Sequence, residues 1–332
     1  MNNNVNSLRK ISFQPQQDFV RSGKTSSFMW GKNSSENKYK NVKLFAKFLI
    51  CVFFLGLVAY AIYNNFAQAE TKKILGFLTK QSMSSNLQNI VETTLSGTKG
   101  TYAVAIKNLK TGESYYTNEH RVFDAGSLYK IWVLATAYDQ IEKGKLKEDE
   151  ILSSTIPELN AEFNISSKSA EITKGEISLS VKSAVQQMII ISHNYSALLL
   201  TKRMKLSTME AFLKENNFSE SSFDPPKTTA YDVSVFFEKL YKGQLGGVQN
   251  AEKMMDLFKK QTLNNKLPKL LPEDSIIAHK TGEIGHFTHD AGIVFLENND
   301  YIIVVMSEST NPAGAEERIA QLSKTIYEYF TK

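Results

Sequence analysis

Residues 48–63 (FLICVFFLGLVAYAIY) are sixteen consecutive apolar positions, and no polar stripe at helical or strand period breaks them. A helix apolar on every side belongs either in a large core or in a bilayer. Taken back through residues 44–46, with Lys47 reaching its ammonium to the interface, the run attains the twenty residues that span a hydrocarbon layer. Residues 1–47 carry nine Lys/Arg against Asp18 and Glu36, a net +7, which leaves the rest of the chain at −2 although the whole stands at +5. The basic excess is therefore a tail before an apolar span, which reads as a cytoplasmic N-terminus with everything after Asn64 outside. Ala67-Gln68-Ala69 offers the alternative of a cleaved secretion signal, but a 47-residue n-region is long for one. The expected organisation is a disordered basic cytoplasmic tail (1–43), a transmembrane anchor (44–63), a tether (64–84) and a globular domain (85–332).

With the tail set aside, the near-neutral body gives no electrostatic footprint for nucleic acid. The single cysteine, Cys51, excludes an intrachain disulfide and a cysteine-based zinc cluster. Gly23-Lys24-Thr25 imitates the end of a phosphate loop, but Asp18 stands where its first glycine belongs and no strand precedes it.

Within the domain, Leu87, Ile90, Val91 and Leu95 repeat at helical spacing. Residues 102–106 and 113–117 flank the turn Lys110-Thr111-Gly112 and predict a hairpin. A long helical region follows from about 127 to 263, broken by loops around 144–180 and 217–228. Strands are expected at 276–280, 290–296 and 301–308, and a closing helix at 316–330. Strands at both ends with helices between them predict an α+β fold: a five-stranded antiparallel sheet flanked by helices, built from both ends of the domain, plus an all-helical lobe.

Three short motifs could carry chemistry. Ser127 and Lys130, at i and i+3, share one helix face in Ser127-Leu128-Tyr129-Lys130. A lysine desolvated by apolar neighbours loses enough basicity to take a serine proton and turn the hydroxyl into a nucleophile. Ser192-His193-Asn194 follows the apolar run 188–191 and supplies a hydroxyl beside an amide, suited to proton relay and substrate anchoring. His279-Lys280-Thr281-Gly282 ends a strand, and its glycine would let a substrate backbone come close. Alone, each also reads as an ordinary helix cap, polar patch or strand end.

In the order S-x-x-K, S-x-N, K-T-G, 65 and 88 residues apart, the trio resembles the penicillin-recognising serine hydrolases, specifically the class A β-lactamase domain, over about 85–332. The resemblance implies Ser127 as the acylated nucleophile and Lys130 as its proton acceptor. Ser192 would pass the proton to the leaving β-lactam nitrogen, Asn194 would bind the substrate side-chain amide, and Lys280, Thr281 and Gly282 would form the substrate-binding strand. The backbone N–H groups of Ser127 and Glu283 would make the oxyanion hole. Neither cofactor nor metal is implied, and the domain is expected to act as a monomer.

The departures concern turnover. Class A enzymes release their acyl group with a glutamate-activated water, the glutamate lying in E-x-x-L-N after S-x-N. Here residues 217–229 (NFSESSFDPPKTT) are shorter and lack that pattern, leaving Glu220 and Asp224 as the carboxylates that could substitute. Pro157-Glu158-Leu159-Asn160 imitates the pattern but precedes Ser192 and reads as surface. His193 stands where an aspartate is usual. No arginine follows Lys280 until Arg318, so a further carboxylate anchor would have to be Thr288, His286 or His289. The sequence thus predicts a serine hydrolase opening β-lactams with slowed deacylation. The alternatives are a D-Ala-D-Ala carboxypeptidase or other penicillin-binding peptidase, and an inactive cell-wall-binding module. Gly-x-Ser-x-Gly is absent, which argues against an α/β-hydrolase, and no H-E-x-x-H helix accompanies the histidines.

Overall fold

The computed structural model describes residues 83–332, with Tyr60 alone described before them. The expected tail, the anchor apart from Tyr60, and the tether up to residue 82 lie outside the described residues. Among the described residues no helix is long and apolar enough to cross a membrane.

Helix α1 (Ser85–Leu95) starts where Ser84 Oγ accepts the Leu87 N–H, and buries Leu87 and Val91, one turn apart. Strands β1 (Thr101–Asn108) and β2 (Ser114–Thr117) form the expected hairpin. The Asn108 carboxamide oxygen closes its turn by accepting the N–H groups of Lys110 and Thr111. At the far end of the chain come β8 (Ile276–Ile284), β9 (Phe287–Phe295), β10 (Tyr301–Glu308) and α9 (Pro312–Phe330). Asn311 caps α9, and Pro312 occupies the first turn, where its missing N–H costs nothing. The five strands make one antiparallel sheet in the order β2-β1-β10-β9-β8, so the last strand of the chain is its centre.

Alternation along β10 divides the core. Tyr301, Ile303 and Val305 pack with Leu87 and Val91 of α1 and Ile319, Leu322 and Ile326 of α9. Ile302, Val304 and Met306 face the second lobe. At the centre of that lobe is α2 (Lys130–Glu142), buried from Lys130 through Tyr138. Trp132, two residues beyond Lys130, packs on Phe218 at 4.6 Å and edge-on to Phe236 at 5.2 Å. Around it stand α3 (Ile156–Glu162), α4 (Val181–Ile190), α5 (Asn194–Met204), α6 (Leu206–Glu215), α7 (Ala230–Tyr241) and α8 (Val248–Lys259).

The second lobe is not all-helical. The loop expected around 144–180 holds an antiparallel pair, β4 (Ile151–Thr155) with β5 (Glu176–Ser180). The loop around 217–228 holds β6 (Ser222–Phe223) and β7 (Pro226–Thr228), and β7 also pairs with β3 (Phe123–Asp124). Strands of two to five residues, rich in Ser and Thr, carry too few apolar positions for a period to show.

Candidate active site

Ser127 sits in a 3-10 turn, Gly126–Tyr129, that runs straight into α2 at Lys130. Two glycines set that turn against the sheet. Gly126 has φ +49°, and a Cβ there would stand 2.7 Å from the amide nitrogen of Glu283 on β8. A Cβ on Gly282 would meet the Ala125 carbonyl at 2.7 Å and the Leu128 amide nitrogen at 3.0 Å. Gly282 was expected to clear room for substrate backbone; what it admits is the nucleophile turn itself.

Lys130 is fully buried, and its Nζ lies 3.1 Å from Ser127 Oγ. It also reaches Ser192 O at 2.5 Å, Ser192 Oγ at 3.1 Å and Asn194 Oδ1 at 2.6 Å. Two of these partners are carbonyl oxygens that can only accept. They hold two N–H bonds, and the remaining position on nitrogen faces the hydroxyls, free to carry a proton or a lone pair. Burial pulls this lysine down to about 7, against the opposing charge of Glu171.

Ser192 lies between α4 and α5 with φ +57°, a left-handed conformation that costs an ordinary residue on the order of 1–2 kcal/mol. The Ile191 and His193 N–H groups both return to Gln187 O, which holds the bend while the Ser192 carbonyl engages Lys130. His193 takes the N-cap of α5: its Nδ1 accepts the Ser196 N–H, a task open to a neutral imidazole as to a carboxylate. Burial, and then the Lys130 charge, lower its pKa.

On the strand side, Lys280 Nζ reaches the same Ser192 Oγ at 3.0 Å and Thr281 O at 2.9 Å. Burial first, and the Lys130 charge second, bring Lys280 to about 7. Its neighbour His279 is buried, paired with Asp290 at 2.9 Å and with Asn264 at 3.1 Å. Ser127, Ser192, Thr281 and Glu283 line a cleft of about 390 Å³ whose far wall is residues 262–265. Among the described residues no group of three or more His, Cys, Asp or Glu is placed to hold a metal ion.

The loop carboxylates part company. Glu220 is occupied: Oε1 lies 2.8 Å from His120 Nδ1, and Oε2 accepts the hydroxyl of Thr229, the N-cap of α7. Asp224 is exposed at the tip of the β6–β7 hairpin. That hairpin runs beside the nucleophile segment, since Asp124 pairs with Lys227 and the Ala125 N–H donates to Pro226 O at 3.0 Å.

Two sequence expectations need correction. His289 is buried and fully committed: Nε2 donates to Asp124 O, Nδ1 accepts the Ser307 N–H, and burial lowers it to about 4, so it supplies no cation for an anion. Thr288 is buried as well, and His286 is exposed. In the segment 157–160 only Pro157 and Glu158 are surface; Leu159 and Asn160 are buried.

Two residues that touch side chains of the site are not evident from the sequence. Lys266, fully buried, is ion-paired with Glu283 and lies 3.8 Å from Glu316. Glu171 accepts a 2.5 Å hydrogen bond from Asn194 Nδ2. Neither belongs to a local pattern, because each reaches the site through a loop.

Residues 82–330 match the model of the β-lactamase enzyme family. The chain is similar to the β-lactamase VEB-1 of Pseudomonas aeruginosa, 23% identical over 276 residues that cover 75% of this chain and 92% of that one. Its structure is similar to that of PBP-A, with a TM-score of 0.65 at 20% identity over 75% of this chain and 97% of that one. It is equally similar to a β-lactamase from Chitinophaga pinensis, with a TM-score of 0.65 at 19% identity over 74% and 99% of the two chains.

Proposed function

The chain belongs to the β-lactamase enzyme family, and from that premise we propose that it is a serine hydrolase that opens the β-lactam ring through an acyl-enzyme on Ser127. The observation that carries the reading is the convergence of Ser127 and Ser192 hydroxyls on the Nζ of a buried, easily deprotonated Lys130. Neutral Lys130 takes the Ser127 proton as Oγ attacks the lactam carbonyl. The N–H groups of Ser127 and Glu283, pressed together by Gly126 and Gly282, receive the oxyanion, each donor worth ~2.7–4 kcal/mol. Ser192 Oγ, between the two lysines, delivers a proton to the departing nitrogen and is resupplied by Lys130. Lys280 and Thr281 hold the substrate carboxylate, and Asn194 the side-chain amide.

For deacylation we assign the water-activating role to Asp224, whose hairpin flanks the nucleophile segment and whose carboxylate has no hydrogen-bond partner among the described residues. A second reading, a penicillin-binding peptidase acylated by β-lactams but slow to release them, is favoured by the shortness of loop 217–229. The organisation is a domain held outside the membrane by residues 44–63, with the basic tail inside.

The test is mass spectrometry of the protein mixed with excess penicillin G, alongside pre-steady-state nitrocefin hydrolysis. A covalent adduct absent in Ser127→Ala is expected, and lack of any adduct would overturn the hydrolase reading. Turnover that drops ~10²–10⁴-fold in Asp224→Asn, with the adduct accumulating, supports the assigned base. A single stoichiometric burst and a stable adduct in the unaltered protein would establish the peptidase reading instead.

A further inference from the structure

Glu171 is an exposed acid in the stretch 163–175 between α3 and β5, yet it is not loosely placed. Its neighbour Ile172 is fastened at both backbone atoms. The Ile172 carbonyl accepts Asn160 Nδ2 at 2.9 Å and lies 2.7 Å from the Tyr195 hydroxyl, which in turn accepts the Ile172 N–H at 3.2 Å. Asn160 and Tyr195 are themselves buried. This anchorage brings the Glu171 carboxylate to the Asn194 amide, where Oε1 accepts Nδ2 at 2.5 Å. Asn194 Oδ1 is held by Lys130, so the Nδ2 group is the end of that amide left to greet a substrate. Glu171 Oε2 has no hydrogen-bond partner among the described residues.

We propose that Glu171 is a specificity-determining residue that selects acyl donors carrying an ammonium group on the carbon next to their side-chain amide. The inference rests on the reading of Asn194 as the amide-binding residue. A substrate amide oxygen that takes Asn194 Nδ2 displaces Glu171 Oε1 from a charge-assisted hydrogen bond, and a neutral side chain returns nothing for that loss. An ammonium one atom beyond the amide gives the displaced carboxylate a partner at the same place. A carboxylate at that position meets it with like charge. The occupied amide thus acts as a filter for the sign of charge.

Three penicillins on one frame test this: penicillin G, with hydrogen at that carbon; ampicillin, with ammonium; and carbenicillin, with carboxylate. Acylation rates by stopped flow or quenched mass spectrometry are expected to rank ampicillin above penicillin G above carbenicillin, each step roughly three- to fivefold, the upper part of the range for an exposed pair. In Glu171→Gln the three should fall within about twofold of one another, and in the unaltered protein high salt should compress the series in the same direction. A ranking that survives Glu171→Gln, or no ranking in the unaltered protein, overturns the inference while leaving the acyl-enzyme reading intact. Failure of all three to acylate Ser127 overturns both.

Discussion

Ser192 Oγ is the atom at which two buried cations meet, 3.1 Å from Lys130 Nζ and 3.0 Å from Lys280 Nζ. Neighbouring ammonium groups do not titrate independently: releasing the first proton removes repulsion and holds the second more tightly. Proton acceptance by Lys130 requires its neutral form, whereas anchoring a carboxylate at Lys280 requires the charged form. The rate of adduct formation with penicillin G is therefore expected to rise through about pH 7 and to fall again at higher pH. The Glu171 charge opposes burial at Lys130, so Glu171→Gln should carry the rising limb to lower pH. A limb that stays in place would remove Glu171 from the electrostatics of the base. The residues of this centre were legible in the sequence because acyl transfer demands particular side chains at particular helix and strand positions. Glu171 was not, because its approach depends on Asn160 and Tyr195, remote from it in the chain and gripping the backbone of the next residue.

The nucleophile turn and β8 touch through backbone, with Gly126 and Gly282 facing each other's elements. In Gly126→Ala the new Cβ would stand 2.7 Å from the Glu283 nitrogen and 2.9 Å from its carbonyl oxygen, neither of which can swing aside. Together with the left-handed φ, this should lower the melting temperature by a few degrees, about 2–4 °C for each kcal/mol in a domain of this size. Acylation should suffer more, since a shift of about 1 Å between nucleophile and oxyanion donors costs ~10²-fold. Comparing melting and acylation in one preparation checks this; an unchanged acylation rate would show that the contact does not set the geometry. α1 and α9 announced themselves because burial of one face imposes a repeat, and β10 because burial of both faces makes it a continuous apolar run. The β3-β7-β6 sheet did not, although it lies against the segment that leads into Ser127, because its strands of two or three residues are too short to show a repeat.

At the scale of the whole molecule, an anchored arrangement predicts that protease added outside intact cells removes the domain and spares residues 1–47. Recovery of a mature chain beginning at Glu70 would show a cleaved signal instead. The strand order adds a consequence for how such a molecule is made. β1 ends at Asn108 and pairs with β10, which begins at Tyr301, and only β10 joins the β1–β2 pair to the β8–β9 pair. A ribosome has thus delivered Ser127, Lys130, Ser192 and Lys280 before the strand that unites the sheet exists. The sheet therefore cannot close piecemeal as the chain is synthesised, which would suit the membrane-anchored, exported arrangement proposed above. A nascent chain halted before residue 301 holds every reacting group and has no sheet on which to assemble them.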